Sequence, residues 1–222
     1  MNSLPSQEEL ALRRQRMIDG QLRTSSVVDL NVIAAFAAAP REAFVEPAFT
    51  SLAYVDREVP ALQGAGRLLL APTTLARLIQ AGKPQAKIRA LDVAGGSGYS
   101  VWLLTRLGAR VVALETPEAG QGAKTTLAGL GGIEFIAGDL AGGAPAQAPF
   151  DLILVNGAFE VRPDKLIEQL AEGGRLVGVD ASFPASKAVL IEKAEGASTR
   201  RVLFDSSAPH LDAFHQAAQF EF

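Results

Sequence analysis

A glycine-rich turn is the first feature of the sequence that could bind a ligand. Residues 91–100 read LDVAGGSGYS, a hydrophobic strand that runs into Gly95, Gly96 and Gly98. Glycine lets the backbone approach a ligand closely, and the first N–H groups of the following helix have no partner within that helix. Dinucleotide folds carry G-x-G-x-x-G at such a turn, but the third glycine would fall at Val101. The spacing therefore predicts a nucleotide-like site with an incomplete dinucleotide fingerprint.

Three carboxylates lie where they could select the ligand. Asp92 precedes the turn, Glu115 ends the next predicted strand, and Asp139 follows the strand after that. A carboxylate at position 115 could accept hydrogen bonds from both ribose hydroxyls, a feature that nicotinamide and adenosyl cofactors share. Asp92 would repel phosphate but attract a sulfonium or ammonium group, and Asp139 is placed for an adenine amino group. The set favours a cationic adenosyl cofactor, although a solvated glutamate at a strand end is the alternative for Glu115.

Alternating strands and helices must position these residues. Runs such as 152–155 are apolar without alternation, which indicates strands covered on both faces in a parallel sheet with right-handed crossovers. The last two runs, 188–192 and 201–204, predict an antiparallel hairpin at the sheet edge. The pattern therefore predicts an α/β, Rossmann-like fold with a mostly parallel seven-stranded sheet flanked by helices. The other predicted elements are strands at 88–93, 110–114, 133–137, 150–155 and 175–180, with helices from Pro72 and at 98–107, 117–130 and 163–172.

The N-terminal third has a different pattern and predicts a helical extension. Residues 6–22 are amphipathic, and residues 30–39 form a second helical run. The stretch 46–71 is irregular, and a loop of this length inside a compact domain usually has a functional role or covers a substrate. We expect a single structural domain in which 1–71 is a substrate-side extension and 72–222 is the cofactor-binding core.

The composition excludes several classes of protein. The 222 residues have a net charge of −3 and no cysteine, which argues against an electrostatic nucleic-acid binder and excludes disulfides and thiolate metal sites. Residues 1–24 are rich in charge and contain no apolar run of signal-peptide or membrane length, so we expect a cytoplasmic protein without a membrane partner. His210 and His215 lack the spacing of a metal site, and none is expected. Phe220 and Phe222 are expected to dock the C-terminal tail, and the pattern specifies no oligomeric state.

Several segments besides the glycine turn match one enzyme family. They are MIDGQLR at 17–23, PREAFVEP at 40–47, Tyr54-Val55-Asp56, LDVAGGSGYS, Glu115, Gly138-Asp139, FDLILVNGA at 150–158 and LAEGGRLVGV at 170–179. With these segments the chain resembles the protein-L-isoaspartate (D-aspartate) O-methyltransferase family of class I S-adenosylmethionine-dependent methyltransferases. The resemblance runs from about Met17 to Phe204, and the two N-terminal segments are its most specific part.

The resemblance implies both the cofactor and the reaction. The cofactor would be S-adenosylmethionine, and the acceptor would be the carboxylate of an isoaspartyl residue, formed when asparagine or aspartate rearranges in an ageing protein. Methylation would start the repair of that residue, and the partner would be a damaged protein or peptide. The implied cofactor-binding residues are Asp92, Ala94, Gly95, Gly96, Ser97, Gly98, Tyr99, Glu115, Asp139, Leu140 and Asn156.

The sequence departs from the family pattern mainly on the substrate side. A Thr-Ile-Ser segment of the family is replaced by residues 68–70, Leu-Leu-Leu, so the position of the family's functional serine falls on Leu70. The cofactor side departs less, with Ala94 in place of a first glycine, Leu140 in place of the last glycine of Gly-Asp-Gly, and Asn156-Gly157 in place of Thr-Ala. The candidate substrate-binding residues are Arg67, Leu70, Pro72, Thr73 and Thr74.

Methyl transfer to a carboxylate explains why no catalytic residue can be assigned. An α-carboxylate has a pKa of roughly 3.3–3.7 and is already ionised at neutral pH, so no general base is needed. Alignment and proximity can supply most of the rate. Because the substrate segment diverges, three alternatives stay open: a different small-molecule or peptide acceptor, a non-catalytic S-adenosylmethionine-binding module, and a nicotinamide oxidoreductase.

Overall fold

Helical segments make up most of the N-terminal part of the computed structural model, which describes residues 5–215. Helix α1 (Gln7–Met17) continues into a π-helical turn at Ile18–Leu22, so the predicted helix 6–22 exists but changes its geometry after residue 17. Helix α2 (Leu30–Ala38) is capped by Asp29, whose carboxylate accepts hydrogen bonds from the N–H groups of Asn31 and Val32. Such a side-chain cap stabilises a helix by about 1 kcal/mol. The expected docking of Phe220 and Phe222 falls outside the described residues.

A small antiparallel hairpin lies within the stretch that the sequence showed as irregular. Strand β1 (Val59–Pro60) pairs with strand β2 (Leu68–Leu69), and the 3-10 segments Arg41–Phe44 and Pro47–Leu52 precede them. The hairpin loop is closed by hydrogen bonds from Ala61 N–H to the Arg67 carbonyl at 3.0 Å and from Arg67 N–H to the Gly64 carbonyl at 2.8 Å. Two-residue strands are too short to show alternation, which is why no strand was predicted here.

A seven-stranded sheet forms the centre of the structure. The first five strands run parallel and the last two are antiparallel, in the spatial order β5-β4-β3-β6-β7-β8-β9. Their bounds are β3 Arg89–Val93, β4 Arg110–Glu115, β5 Ile133–Ala137, β6 Phe150–Phe159, β7 Leu170–Asp180, β8 Lys187–Ala194 and β9 Ala197–Asp205. This arrangement confirms the predicted fold class and the predicted C-terminal hairpin. The order reverses between β3 and β6, and ligands of open α/β sheets bind outside the carboxyl ends of strands at such a point.

Four helices flank the sheet: α3 Pro72–Gly82, α4 Tyr99–Arg106, α5 Gly120–Thr126 and α6 Asp164–Glu168. The predicted helices 117–130 and 163–172 are therefore real but shorter than expected. The second one ends early because β7 already begins at Leu170, with Gly173 at a positive φ of 75° inside an irregular start of the strand. Among residues 5–215, no helix has the length and apolar character needed to cross a membrane.

Two hydrophobic clusters pack against the sheet. The larger one includes Leu10 and Phe36 of the N-terminal helices together with Leu75, Leu104 and Leu190 of the core. The smaller one lies on the other face and contains strand residues together with the C-terminal Leu211 and Phe214. Because the N-terminal segment shares a cluster with the core, it is held firmly over one face of the sheet. The division between a substrate-side extension and a cofactor-binding core at residue 71 stays a prediction.

Candidate functional site

A pocket opens at the carboxyl ends of β3, β4 and β5. Five of the predicted cofactor residues line it, namely Asp92, Gly95, Gly96, Gly98 and Glu115. The other lining residues come from α4, β4, β5 and α5 and the segments beside them: Val101, Ala113, Leu114, Thr116, Pro117, Gly120, Ala123, Lys124, Phe135, Ile136 and Ala137. The pocket thus joins the glycine turn to a mostly apolar wall that no motif in the sequence had indicated.

The glycine turn has the tight backbone that its sequence predicts. Gly96 and Gly98 have positive φ values of 58° and 88°, which side chains other than glycine rarely adopt. A Cβ atom on Gly95 would lie 2.1 Å from the Asp92 carboxylate, so a side chain there has no room. Helix α4 begins directly after Gly98, at Tyr99. The turn therefore leaves a cradle of backbone beside a carboxylate.

Asp92 is a buried carboxylate whose oxygens have no hydrogen-bond partner within residues 5–215. It is 1% exposed, and within residues 5–215 neither of its carboxylate oxygens accepts a hydrogen bond. Burial raises the pKa of Asp92 to about 7, and the nearby Ser100 and Asn156 side chains lower it only in part. Placing a carboxylate in such a site is costly unless a cation or a donor meets it. Asp92 is therefore suited to meet the cationic methionyl part of an adenosyl cofactor, and its role in cofactor binding stays a prediction.

Glu115 is the second buried acid of the pocket, and four N–H donors surround it. The N–H of Gly96 lies 3.1 Å from Oε1, and the N–H of Thr116 lies 2.7 Å from Oε2. Arg67 supplies the other two donors, with Nε 2.9 Å from Oε1 and Nη2 3.3 Å from Oε2. The structure therefore brings the predicted ribose carboxylate together with Arg67, which the sequence had placed among the substrate-binding candidates.

Several predicted cofactor residues direct their side chains away from this pocket. Ser97 donates a hydrogen bond to the Phe44 carbonyl at 2.6 Å, and the Tyr99 ring packs in the core against Phe36 and Phe44. Asp139 is exposed and accepts a hydrogen bond from the Ala141 N–H at 3.0 Å. None of these three is among the residues that line the pocket.

Three further cofactor candidates are buried near the carboxyl ends of the strands but do not line the pocket either. Asn156 donates to the Val93 carbonyl at 3.0 Å and so ties β6 to β3 beside Asp92. Leu140 belongs to the smaller hydrophobic cluster, and Ala94 has a positive φ of 60° at the entry to the turn. Their part in cofactor binding stays a prediction.

The substrate-side candidates are engaged with the protein itself. Leu70 is 2% exposed and belongs to the larger hydrophobic cluster, as does the neighbouring Leu69. Thr73 donates its hydroxyl and its N–H to Asp56, and the Thr74 hydroxyl lies 2.9 Å from that of Ser206. Pro72 is buried as the first residue of α3. The side chain at position 70 therefore packs into the core and cannot take the place of a serine hydroxyl.

The comparison with known families is consistent with this geometry. A family model described as Protein-L-isoaspartate(D-aspartate) O-methyltransferase (PCMT) matches residues 12–201. The chain belongs to this family. The match confirms the resemblance found in the sequence, and with it the O-methyltransferase class of the enzyme and the cofactor S-adenosylmethionine, which methyltransferases of this family use.

Individual members of the protein-L-isoaspartate O-methyltransferase family support the assignment along most of the chain. The member from Koribacter versatilis is 36% identical over 208 residues, or 92% of each chain. The member from Methanoculleus marisnigri is 36% identical over 186 residues, or 82% of this chain and 84% of its own. A Plasmodium falciparum structure described as a putative family member in complex with S-adenosyl-L-homocysteine shares the fold, with a TM-score of 0.74 at 21% identity over 90% of this chain and 98% of that one.

Restoring the family's serine at position 70 is expected to destabilise this family member. Leu70→Ser removes a buried apolar side chain and places a hydroxyl among hydrophobic residues, which together should lower the free energy of unfolding by about 3 kcal/mol. Urea unfolding measures the loss. Leu68→Ser, at a half-buried position two residues earlier, is the matched control and should cost about 1 kcal/mol or less. A Leu70→Ser variant of unchanged stability and increased methyl transfer would show that residue 70 faces the acceptor.

Proposed function

We propose that the protein transfers a methyl group from S-adenosylmethionine to the carboxylate of isoaspartyl residues in damaged proteins or peptides. The observation that carries this proposal is the family match over residues 12–201, which includes the N-terminal segments as well as the cofactor turn. The pocket agrees with it, because Asp92 and Glu115 are buried acids beside a glycine cradle. A cytoplasmic location, expected from the sequence, belongs to the same proposal.

The residues of the pocket would divide the binding of the cofactor between them. S-adenosylmethionine supplies a methyl group on a sulfonium cation when it is bound. Asp92, buried and without a partner within the described residues, would attract the cationic methionyl end, and Glu115 would accept hydrogen bonds from the ribose hydroxyls. The apolar wall that contains Phe135 and Ile136 suits the adenine ring. Each part of the pocket thus matches a different part of one ligand.

The protein needs to supply alignment rather than a proton acceptor. A carboxylate acceptor is already ionised at neutral pH, so no residue of the pocket has to remove a proton from it. Its negative charge would be neutralised by the positive charge of the sulfonium as the two groups approach. A pocket with largely apolar walls therefore favours the reaction once both groups are positioned in it.

Arg67 is the best candidate for binding the acceptor carboxylate. Its guanidinium offers a planar fork of donors that matches a carboxylate, and it lies beside the cofactor turn. Thr73 is a weaker candidate because Asp56 already accepts hydrogen bonds from both its hydroxyl and its N–H. The acceptor should accordingly be an anion.

A second candidate function keeps the cofactor and changes the acceptor to another peptide or small-molecule carboxylate. The observation that favours it is the Leu68–Leu70 segment, which replaces the Thr-Ile-Ser segment of the family and buries Leu70 in the core. Selectivity for an isoaspartyl group would then have to come from other residues.

Methylation of matched peptides tests the proposal. We expect methyl incorporation into a peptide that contains isoaspartate and none into the same sequence with normal aspartate. Equal incorporation into both, or incorporation into neither, would remove the repair assignment. Turnover on small carboxylates in the absence of damaged protein would favour the second candidate, and S-adenosylhomocysteine binding without turnover on any carboxylate would indicate a binding module.

A further inference from the structure

The contacts of Glu115 leave no free position on its carboxylate. An ionised carboxylate accepts hydrogen bonds at about four lone-pair sites. The N–H groups of Gly96 and Thr116 occupy two of them, and the Nε and Nη2 groups of Arg67 occupy the other two. The side chain of Glu115 is 8% exposed and that of Arg67 is 21% exposed, so water competes only weakly for this ion pair. A ribose diol that binds Glu115 must take the places held by the guanidinium.

The β1–β2 hairpin fixes Arg67 at this position. Its loop lies against the glycine turn, since a Cβ atom on Gly96 would be 3.0 Å from the Ala61 Cβ and 3.2 Å from the Arg67 Cβ. On its other side the loop meets α5, where a Cβ atom on Gly122 would lie 2.1 Å from the Leu62 carbonyl oxygen. Because the backbone of Arg67 is held in this way, its side chain is the part that can move.

We propose that Arg67 competes with the ribose of the cofactor for Glu115 and that, once displaced, its guanidinium binds the acceptor carboxylate. The second half of this statement rests on the proposed function, whereas the first concerns the cofactor alone. Arg67 thereby connects the two binding sites, because it contacts Glu115 in one position and the acceptor in the other. Its place directly before the Leu68–Leu70 segment puts it where the family carries its substrate residues.

The charges explain why displacement should favour the acceptor. A guanidinium that has lost its contact with Glu115 is a partly buried cation. A second carboxylate can again form a bidentate ion pair with it. In the absence of cofactor the same guanidinium is neutralised by Glu115 and attracts an anion poorly. Cofactor and acceptor should therefore bind with positive cooperativity, since each favours the displaced position of Arg67.

Calorimetry with S-adenosylhomocysteine tests the competition. We expect Arg67→Gln to bind S-adenosylhomocysteine about three- to tenfold more tightly than the wild type. In the wild type the ligand must break the partly exposed Arg67–Glu115 ion pair, and in the variant this pair is absent. In a Glu115→Ala background the same substitution should change the affinity by no more than about twofold, since the competed group is absent. Arg175→Gln, which breaks an ion pair with Glu192 of the same 2.9 Å length, is the matched control and should leave the affinity unchanged.

Kinetics with an isoaspartyl peptide tests whether the displaced Arg67 binds the acceptor carboxylate. Arg67→Gln should raise the KM for the peptide about tenfold or more, although cofactor binding is tighter, and Arg67→Lys should recover part of that loss through its charge.

An Arg67→Gln variant that binds S-adenosylhomocysteine equally well or more weakly overturns the competition and makes Arg67 a support for Glu115. Tighter cofactor binding with an unchanged KM for the peptide overturns the binding of Arg67 to the acceptor carboxylate. If no form of the protein binds S-adenosylhomocysteine, the competition and the proposed function both fail, whereas binding without peptide turnover removes only the acceptor half and the repair assignment.

Discussion

Asp92→Asn is expected to make the protein more stable above pH 7 and to weaken its binding of S-adenosylhomocysteine. Asp92 is buried, and within residues 5–215 its carboxylate accepts no hydrogen bond. Burial raises the pKa of Asp92 to about 7 from its ordinary value of 3.8. The folded protein therefore keeps this proton where the unfolded chain has already lost it. An amide of the same shape carries no charge to bury.

The raised pKa of Asp92 determines the pH range in which this residue lowers the stability of the folded protein. Below about pH 4 the group is protonated in both states and contributes no penalty. Between about pH 4 and pH 7 the folded state binds more protons than the unfolded state, so stability falls as the pH rises. Above pH 7 the full cost applies, and the difference between about 7 and 3.8 corresponds to about 4 kcal/mol at most. We expect Asp92→Asn to recover a large part of that cost at pH 8 and almost none of it at pH 4.

Thermal unfolding at the two pH values, together with calorimetry, measures both effects. The gain in stability at pH 8 should appear as a rise in Tm of roughly 10 °C. The affinity for S-adenosylhomocysteine should fall about tenfold or more, because a charge-assisted contact with its ammonium group is lost. Asp164→Asn, at an exposed position on α6, is the control and should change neither quantity appreciably. A destabilised Asp92→Asn protein at pH 8 would show that the carboxylate has a partner that stabilises it.

A stability gain coupled to a loss of binding would explain why a charge is kept in this position. Mutations that relieve an unfavourable site commonly stabilise a protein at the expense of its function. In the sequence, the place of Asp92 ahead of the glycine turn predicts a contact with a cationic group. The sequence could not show the energetic cost of burying Asp92, because the surroundings of this carboxylate include Asn156, which comes from a distant part of the chain.

The local features of the site were predictable because each depends on neighbouring residues. Gly96 and Gly98 have the positive φ values that a turn of this type needs, and Glu115 ends its strand as predicted. The sheet was predictable for the same reason, since apolar runs such as 152–155 are characteristic of strands covered on both faces. Local pattern therefore sufficed for the fold and for the glycine side of the pocket.

The remaining features depend on contacts between segments that are far apart in the chain. Arg67 meets Glu115 across 48 positions because a hairpin with two-residue strands folds over the turn. The apolar wall at Phe135 and Ile136 joins the pocket only because β5 lies beside β4. Leu70 looked like a substrate residue from its alignment with the family's serine, but packing against the core decides where its side chain lies. No sequence periodicity carries this information.

Glu115→Ala is expected to weaken the binding of S-adenosylhomocysteine by about 10- to 100-fold while leaving the protein folded. Hydrogen bonds to a charged acceptor contribute about 1.5–3 kcal/mol each, and the ribose would lose both of its bonds to this carboxylate. The net loss is smaller than their sum, because binding to the variant no longer has to break the Arg67–Glu115 ion pair. Arg67 loses its partner as well, but it is partly exposed and can be solvated. Calorimetry gives the change in affinity, and circular dichroism confirms the fold. Glu134→Ala, on the neighbouring strand β5 and outside the pocket, should leave the affinity unchanged.

A ligand without the ribose 2′-hydroxyl distinguishes a direct contact from a general disturbance of the pocket. The wild type should bind S-adenosylhomocysteine about tenfold more tightly than its 2′-deoxy analogue, because a buried carboxylate that loses a donor is costly. The Glu115→Ala variant should bind the two ligands about equally well, since the group that reads the hydroxyl is gone. If the variant kept the full preference for the ribose ligand, another residue would have to be the ribose acceptor. Glu115 would then serve mainly to hold Arg67 and the glycine turn in place.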